Sequence, residues 1–390
     1  MTNAKPKRNR AIVIGGSLGG LFAGNMLKKA GWDVDIYERS AHDLDSRGGG
    51  VVLQPDVVEV FREAGVDIGA MSLGVPSKNR VVYRKDGSIQ DKRPAPQMQT
   101  SWPLIYSTMK ETFGDAHYHR GRVLTSIEQD EDAKTVTAIF EDGSRETGDL
   151  LVGADGNGST VRQLIWPDAK PAYAGYLAWR GLIPENDLTP AARDGLLGDF
   201  GFSNTTGSHI LGYLVPGENN TTDPGKRFYN WVWYRVADDE TLAKIMTDKD
   251  GKQRGYSMPE GKLSADWKAH VYREADALLP APFREAVHST QEPFAQAIRD
   301  LTVPSMVNGR VILLGDAAFV PRPHTAASTS KAAANALALY DALARTPEDV
   351  DAALERWEPG QMMLGNMLYR QGTQAGDSLL FRKDMSERVG

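Results

Sequence analysis

Apolar and polar positions follow two different periods in the first forty residues of the chain. Ala11 to Ile14 form a continuous apolar run, which is typical of a strand buried on both faces of a parallel sheet. After a glycine-rich turn, apolar residues recur at helical spacing, at Leu18, Phe22, Met26 and Leu27. Gly31 stands where a helix commonly ends, and Val34 to Tyr37 predict a second strand. The pattern therefore predicts a β-α-β unit.

Farther along the chain, the pattern becomes strand-like and then helical again. Alternating positions between 123 and 140, closed by a turn at Glu141 to Gly143, predict hairpin strands. Residues 173–234 combine many aromatic residues with Gly, Asn and Asp, which favours a mostly antiparallel sheet. Val311 to Leu314 form another continuous apolar run, which is typical of a buried strand of a parallel sheet. An alanine-rich helix is predicted from about Ser330 to Ala344.

This order of elements indicates an α/β fold with a discontinuous Rossmann-type domain. A mostly antiparallel β-sheet domain would be inserted into it, and helices would follow at the C-terminal end. We assign residues 1–77, 101–171 and 300–390 to the nucleotide-binding domain. We expect residues 78–100 and 172–299 to form the inserted domain and to bind the substrate.

Composition excludes several classes of function. The 390-residue chain has a net charge of −6, which argues against nucleic acid as the main partner. It contains no cysteine, which excludes disulfides, thiol nucleophiles and cysteine-ligated metals. No run of 18 apolar residues is present, so we expect no membrane partner. We therefore expect a cytoplasmic protein without a metal site, and a homodimer is compatible with the sequence.

The glycine-rich turn, Gly15-Gly16-Ser17-Leu18-Gly19-Gly20, lies between the first strand and the first helix. Residues with little or no side chain let the backbone approach a pyrophosphate, and a helix N-terminus offers free N–H groups to it. Ser17 occupies the place of the second glycine of the usual fingerprint. Glu38 ends the second strand, where a carboxylate can hold ribose hydroxyls. The motif indicates a dinucleotide site.

Two further segments, Gly153-Ala154-Asp155-Gly156 and Gly315-Asp316-Ala317-Ala318, each follow an apolar strand. Together with the first motif they resemble the three fingerprints of the FAD-dependent aromatic-ring monooxygenases, the para-hydroxybenzoate hydroxylase class. Within that class, Tyr173 to Gly181 and Gly315 to Ala327 look most like the dihydroxypyridine hydroxylase branch. The chain departs from the class pattern at Phe319, where a histidine is usual, and at Trp102, where many members carry an arginine.

The resemblance implies a set of FAD contacts. Those that would wrap the pyrophosphate are Gly15, Ser17, Leu18 and Gly20, with Asp155 nearby. The adenosine end would be held by Glu38 and Arg39, and the ribityl chain by Asp316. A helix N-terminus would be brought toward the N1–C2=O edge of the flavin by Pro323, Ala326, Ala327 and Ser328. Further contacts are implied for Arg47, Val52 and Leu124.

The class also implies the reaction. NADPH or NADH would reduce FAD, and O2 would supply a hydroxyl group to a small hydroxylated aromatic or pyridine-type ring. One alternative is a flavin reductase or halogenase of the same fold, although Trp231-Val232-Trp233 is not followed by the Ile-Pro of halogenases. Another is a non-catalytic binding protein on an FAD fold, which would have no need of Asp316.

Three residues are candidates for contact with the substrate. His209 and Tyr213 lie four apart in a predicted strand and therefore face one side, and related pyridine hydroxylases carry a similar pair. A histidine with its ordinary pKa near 6.5 could accept a ring proton at neutral pH. His324 follows Pro323 at the flavin edge, and either histidine could be the base. Lys331 is interpreted as a solvated side chain.

Overall fold

The computed structural model of the chain describes residues 8–44 and 49–381. Its helices are α1 Leu18–Lys29, α2 Pro55–Glu63, α3 Trp102–Phe113, α4 Thr160–Ile165, α5 Pro190–Leu196, α6 Asp239–Ile245, α7 Ala265–Leu278, α8 Ala281–His288, α9 Ser328–Arg345 and α10 Val350–Gly376. The first ten strands are β1 Arg10–Ile14, β2 Asp33–Glu38, β3 Gly50–Val52, β4 Val75–Tyr83, β5 Ile89–Ser101, β6 Tyr118–Arg120, β7 Leu124–Asp130, β8 Thr135–Phe140, β9 Arg145–Gly148 and β10 Leu150–Gly153. The other strands are β11 Ala172–Pro184, β12 Phe200–Thr205, β13 Ser208–Val215, β14 Phe228–Val236, β15 Ser257–Met258, β16 Phe294–Asp300, β17 Val307–Asn308 and β18 Val311–Leu313.

The first sheet is the Rossmann-type sheet that the sequence predicts. Its strand order is β17-β18-β10-β1-β2-β6, and every pair except β17–β18 is parallel. The central strands β1 and β10 are almost completely buried, and α1 packs against both of them. The carboxyl ends of β1, β10 and β18 meet at one edge, and each of them leads into one of the three motifs.

The second sheet has nine strands in the order β15-β16-β11-β14-β13-β12-β4-β5-β3. Its pairs are antiparallel apart from β12–β4. One face packs on a core that contains the buried residues Trp179, Trp231 and Trp233. The predicted fold class is therefore confirmed. The proposed domain boundaries stay a prediction.

A third, smaller sheet of β7, β8 and β9 is the hairpin region expected between positions 123 and 140. Within residues 8–44 and 49–381, the helices are all too short or too polar to cross a membrane.

Candidate active site

The glycine-rich turn after β1 is shaped by two close approaches of the backbone. Gly15 has a φ of +104°, and a Cβ atom on it would lie 2.6 Å from the carbonyl oxygen of Ala154. A Cβ atom on Gly20 would lie 1.8 Å from the carbonyl oxygen of Gly15. Glycine is required at both positions because a side chain would collide with backbone, and Gly15 also needs the left-handed region. The turn therefore presents bare backbone at the N-terminus of α1.

Glu38 ties this turn to the end of β2. Its Oε2 atom accepts a hydrogen bond of 2.8 Å from the backbone N–H of Gly16, and its Oε1 atom accepts one of 2.8 Å from Ser40. The hydroxyl of Tyr118 donates to the carbonyl oxygen of Gly16 at 2.8 Å. The carboxylate is buried, so these bonds hold it beside the turn.

Asp155, after β10, acts first as a cap. Its carboxylate accepts from the Ser159 hydroxyl and from the backbone N–H groups of Thr160 and Val161, at 2.7 Å and 3.2 Å for the two backbone bonds. These bonds cap the N-terminus of α4. Burial raises the pKa of Asp155, and the hydrogen bonds oppose only part of this shift.

Asp316, after β18, is held by the first turn of α9. Its Oδ1 atom accepts from the Ser328 hydroxyl at 2.9 Å and from Nζ of Lys331 at 2.8 Å. Lys331 also donates to the carbonyl oxygen of Phe319 and is only 2% exposed. The interpretation of Lys331 as a solvated side chain is therefore wrong. Its ammonium group is buried because an acidic partner and a carbonyl oxygen replace water around it.

The three motifs converge on one groove, here called the nucleotide groove, of about 510 Å³. The predicted site residues that line it are Gly15, Ser17, Leu18, Glu38, Arg39, Leu124, Asp155, Asp316 and Ser328. Gly20 lies under the turn instead, in contact with Gly15. The predicted contact Arg47 lies outside the described residues.

A second cavity, here called the inner cavity, has a volume of about 280 Å³ and adjoins the nucleotide groove. Both spaces are bordered by Trp102, Arg180 and Ser328. The predicted residues that line the inner cavity are Val52, Tyr213, Pro323, Ala326, Ala327 and Ser328. It also contains Tyr234, and no described residue hydrogen-bonds to the hydroxyl of Tyr213 or of Tyr234. Two hydroxyls are therefore available to a ligand between apolar walls.

The candidate pair His209 and Tyr213 shares a face of β13 but borders different spaces. His209 lies near His324 instead, with ring centroids 5.8 Å apart, and both histidines line a third cavity. His324 Nε2 is 2.9 Å from the hydroxyl of Tyr176, and its Nδ1 atom is buried without a hydrogen-bond partner among the described residues. The structure thus groups the two histidines and separates them from Tyr213.

Burial changes the acid–base properties of these histidines. It lowers the pKa of His209 to about 3, with smaller contributions from His324 and Arg80. It also lowers the pKa of His324 to about 4, with a contribution from Arg322. The ordinary value near 6.5 that was assumed for His209 is therefore wrong for the folded chain, because the charged form loses its hydration. Both imidazoles are neutral at neutral pH.

Sequence reasoning missed two residues at the junction of the groove and the inner cavity. Arg180 donates to Oε1 of Gln296 at 3.3 Å and forms no ion pair within the described part of the chain. Trp102, identified only as a departure from the class pattern, stacks on Tyr106 with ring centroids 4.8 Å apart. Arg180 lies in the segment from Tyr173 to Gly181, which resembles the dihydroxypyridine hydroxylase branch. That resemblance is the sequence feature that could have identified Arg180 as a site residue.

The residues present fit FAD. The helices α1 and α9 both begin at this site, and neither has a side-chain cap on its first turn. Their free N–H groups and positive dipole ends suit a pyrophosphate and an electron-rich ring edge. Gly15 and Gly20 let the backbone form the tight turn at the groove, and Arg39 and Arg122 add positive charge to the groove. Together, the fold and the groove define a Rossmann-type flavoprotein.

Comparison with known proteins agrees with this class. An FAD binding domain model matches residues 8–195, and an FAD binding domain-like model matches residues 173–300. The chain is 34% identical to 2,6-dihydroxypyridine 3-monooxygenase of Paenarthrobacter nicotinovorans, over 93% of this chain and 89% of that one. The solved structure of 2,6-dihydroxypyridine-3-hydroxylase from Arthrobacter nicotinovorans superposes with a TM-score of 0.90, at 32% identity, over 99% of this chain and 96% of that one. An FAD-dependent urate hydroxylase of Klebsiella pneumoniae is 27% identical, over 90% of this chain and 85% of the other.

The chain belongs to the family of FAD-dependent aromatic-ring monooxygenases. It is a flavoprotein hydroxylase with FAD as cofactor and NAD(P)H as co-substrate. The predicted resemblance, cofactors and enzyme class are confirmed.

Proposed function

We propose that this enzyme hydroxylates a hydroxypyridine ring bound in the inner cavity. The observation that carries the proposal is the pair of unpartnered hydroxyls, Tyr213 and Tyr234, in an apolar cavity that opens on the nucleotide groove. A small cavity with apolar walls and a few polar groups suits a planar ring that carries hydroxyl substituents. The similarity to 2,6-dihydroxypyridine 3-monooxygenase supports a pyridine-type ring.

The positions of the predicted contacts support the following roles in FAD binding. Gly15, Ser17, Leu18 and Gly20 form the turn that receives the pyrophosphate, with Asp155 beside it. Glu38 and Arg39 hold the adenosine end, and Asp316 holds the ribityl chain. The N-terminus of α9, led in by Pro323, Ala326, Ala327 and Ser328, faces the ring system of the flavin. Val52 and Leu124 add apolar contacts, and Arg47 is retained as a contact from the resemblance alone.

FAD held in the nucleotide groove would supply the redox chemistry, which is hydride transfer from NAD(P)H and activation of O2. The protein binds the ring, excludes water and helps to ionise a ring hydroxyl. Tyr213 orients the ring oxygen, since burial raises its pKa to about 12 and keeps the hydroxyl protonated as a donor. His209, which borders the adjoining cavity, donates from Nδ1 to the amide oxygen of Asn204, which leaves Nε2 as an acceptor for a hydrogen bond from a ring hydroxyl held where the two cavities meet. His324, with its unpartnered Nδ1 atom, is the alternative acceptor.

The test is a screen of the FAD-loaded enzyme with hydroxypyridines and phenols. We expect slow NAD(P)H oxidation without a ring, strong stimulation by a hydroxypyridine, and a product heavier by one oxygen atom. The same screen with 18O2 would show that the added atom comes from O2. Equal oxidation rates with and without every ring, with peroxide as the only product, would overturn the proposal and favour a flavin reductase. A cytoplasmic location and a homodimer remain predictions of the sequence.

A further inference from the structure

The inner cavity adjoins a second space on the side away from the nucleotide groove. This is the third cavity, here called the outer cavity, and its volume is about 540 Å³. Five residues border both the inner and the outer cavity, namely Val52, Phe200, Leu211, Pro323 and Ala326. Because FAD would fill the nucleotide groove, the cofactor closes that side of the inner cavity. The outer cavity then remains as a way into the inner one.

The outer cavity leads from the surface into the interior. Part of its wall is formed by Pro96 and Gln97 of β5, which are exposed, and by Leu379, which is partly exposed. This part of the wall is here called the rim. Another part is formed by Phe202 and His209, whose exposed fractions are 4% and 3%. A ring that enters at the rim can therefore reach buried side chains within one continuous space.

The wall of the outer cavity offers few charges that would hold a ring. Most of the residues that line it are apolar, and none of the described ones is acidic. Its cation, Arg80, is already in contact with an aromatic face, since the guanidinium carbon lies 3.7 Å from the centre of the Phe202 ring. A passage must admit a ligand and also release it, so weak contacts along the wall favour transit.

Leu379 is held at the rim by the segment that follows α10. Residues Asp377–Phe381 form a π-helical turn, which is a rare conformation. Asp377 accepts a hydrogen bond of 2.8 Å from Nη1 of Arg322, and Leu380 is only 1% exposed. These contacts anchor the turn on both sides of Leu379, so its side chain has a fixed place in the wall of the outer cavity.

We propose that the outer cavity is the passage through which the ring enters and leaves the inner cavity while FAD stays bound. This inference rests on the proposed function, and the ring still reacts in the inner cavity. Gln97 and Leu379 lie on different elements at the rim, so a bulky group on either would narrow the passage. Narrowing slows arrival and departure by the same factor, because both directions cross one barrier and the free energies of the free and bound ring do not change.

The absence of cysteine makes the passage testable by reversible labelling. A single introduced cysteine is the only thiol in the chain, so a methanethiosulfonate reagent modifies that position alone. The rim variants are Leu379→Cys and Gln97→Cys. Met363→Cys is the matched control, because Met363 is 74% exposed on α10 and borders neither cavity nor the nucleotide groove.

Each variant is loaded with FAD and modified with a bulky or a methyl-sized reagent. Labelling is checked by mass, and FAD content and circular dichroism are compared before and after it. Ring binding is followed without NAD(P)H, by stopped-flow absorbance of FAD. The ligand is the hydroxypyridine or phenol that changes this absorbance most in the unlabelled parent. The measured quantities are kon, koff and Kd.

We expect the bulky label at either rim position to lower kon and koff by about tenfold or more, with Kd changed less than about twofold. The methyl-sized label should have little effect, and reduction of the bulky label should restore both rates. Labelled Met363→Cys should match the unlabelled protein.

The proposal is overturned if bulky labels at both rim positions leave the two rates unchanged. It is also overturned if Kd rises as kon falls while koff stays constant, because the label then competes with the ring for its site. Ring binding decides the role of the passage even where no product forms, whereas hydroxylation by the parent decides the proposed function.

Discussion

Nζ of Lys331 lies 2.8 Å from Oδ1 of Asp316, so a buried ammonium group stands directly behind a carboxylate that lines the nucleotide groove. Burial lowers the pKa of Lys331, and Asp316 opposes this shift. The lysine also bonds the carbonyl oxygen of Phe319, so one side chain fixes the segment between β18 and α9. The positive charge of Lys331 offsets the negative charge of Asp316, which would otherwise repel an anionic cofactor in the groove.

We expect Lys331→Met to weaken FAD binding at least tenfold. The substitution keeps much of the volume but leaves Asp316, whose side chain is 37% exposed, without its counter-charge beside the cofactor site. The reduction potential of bound FAD should fall as well, because a positive charge near the site is lost. Fluorescence titration of the FAD-free protein and redox titration of the loaded protein measure the two effects.

Ser328→Ala is the control for this prediction. It removes one hydrogen bond to Asp316 but keeps the ion pair, so its effect should be about 1 kcal/mol or less. Equal FAD affinity in Lys331→Met and the parent would show that the pair is unimportant for the cofactor.

Asp155→Ala and Asp316→Ala should separate folding from cofactor binding. Asp155 caps α4 through three hydrogen bonds, so its loss should lower the free energy of unfolding of the FAD-free protein by about 1–3 kcal/mol. Asp316→Ala should weaken FAD retention more than Asp155→Ala does. Urea unfolding and FAD titration of both variants measure these quantities. The reverse order in FAD affinity would contradict the assignment of Asp316 to the ribityl chain.

The stability of the FAD-free protein below neutral pH should depend on His209, which is buried, and on His324, which is partly buried. The pKa values of His209 and His324 are lowered to about 3 and 4 in the folded chain, whereas both lie near 6.5 when unfolded. Below pH 6.5 the unfolded state therefore binds protons that the folded state does not bind. The free energy of unfolding decreases as the pH falls toward 4. The slope should approach about 1.4 kcal/mol per pH unit for each histidine.

Urea unfolding at pH 7.5, 6.5 and 5.5 measures this slope. The double variant His209→Gln with His324→Gln should have a shallower dependence than the parent over the same window. Parallel curves for the two proteins would mean that neither histidine is buried in its neutral form.

The parts of the site that the sequence predicts are those formed by neighbouring residues in the chain. The turn from Gly15 to Gly20 and the residue Glu38 belong to one β-α-β unit, so composition and spacing suffice to place them. Asp155 and Asp316 each follow a buried strand of the same parallel sheet, so their meeting at one edge also follows from local patterns.

Contacts between distant segments could not be predicted in this way. The pairing of Tyr176 with His324 joins a strand of the second sheet to a turn after the first, and neither local pattern specifies the other. Lys331 looks solvated in an alanine-rich helix, because its burial depends on how the turn after β18 folds back. The stacking of Arg80 on Phe202 depends on the parallel pairing of β4 with β12, which lie far apart in the chain.

His209→Ala should lower the hydroxylation rate or its coupling to NAD(P)H oxidation at least tenfold, with a normal FAD spectrum. Asn204 holds the imidazole of His209 in the tautomer whose Nε2 can accept a hydrogen bond from the ring hydroxyl, and the lowered pKa makes it a hydrogen-bond acceptor more than a proton acceptor at neutral pH. Because the pKa of His209 is about 3, the rate of the parent should show no inflection from this residue near pH 6.5. Asn204→Ala should reduce the rate less, through loss of the preferred tautomer. Normal rates in His209→Ala would make His324 the next residue to test.

Tyr213→Phe should affect substrate binding and the coupling of NAD(P)H oxidation to hydroxylation more than it affects FAD binding. The Tyr213 ring packs against Phe200 with centroids 4.7 Å apart, and a phenylalanine preserves that contact while removing only the hydroxyl. A ring oxygen that loses this donor would be held less well, so KM should rise about tenfold, as for one hydrogen bond to a charged group. Tyr229→Phe is the matched control, because its hydroxyl is also buried without a partner among the described residues but does not line the inner cavity. The contrary result is that both variants bind the ring like the parent and yield the same ratio of product to NAD(P)H consumed. That result would show that the Tyr213 hydroxyl does not contact the substrate. The unpartnered hydroxyl of Tyr234 would then be the group that orients the ring.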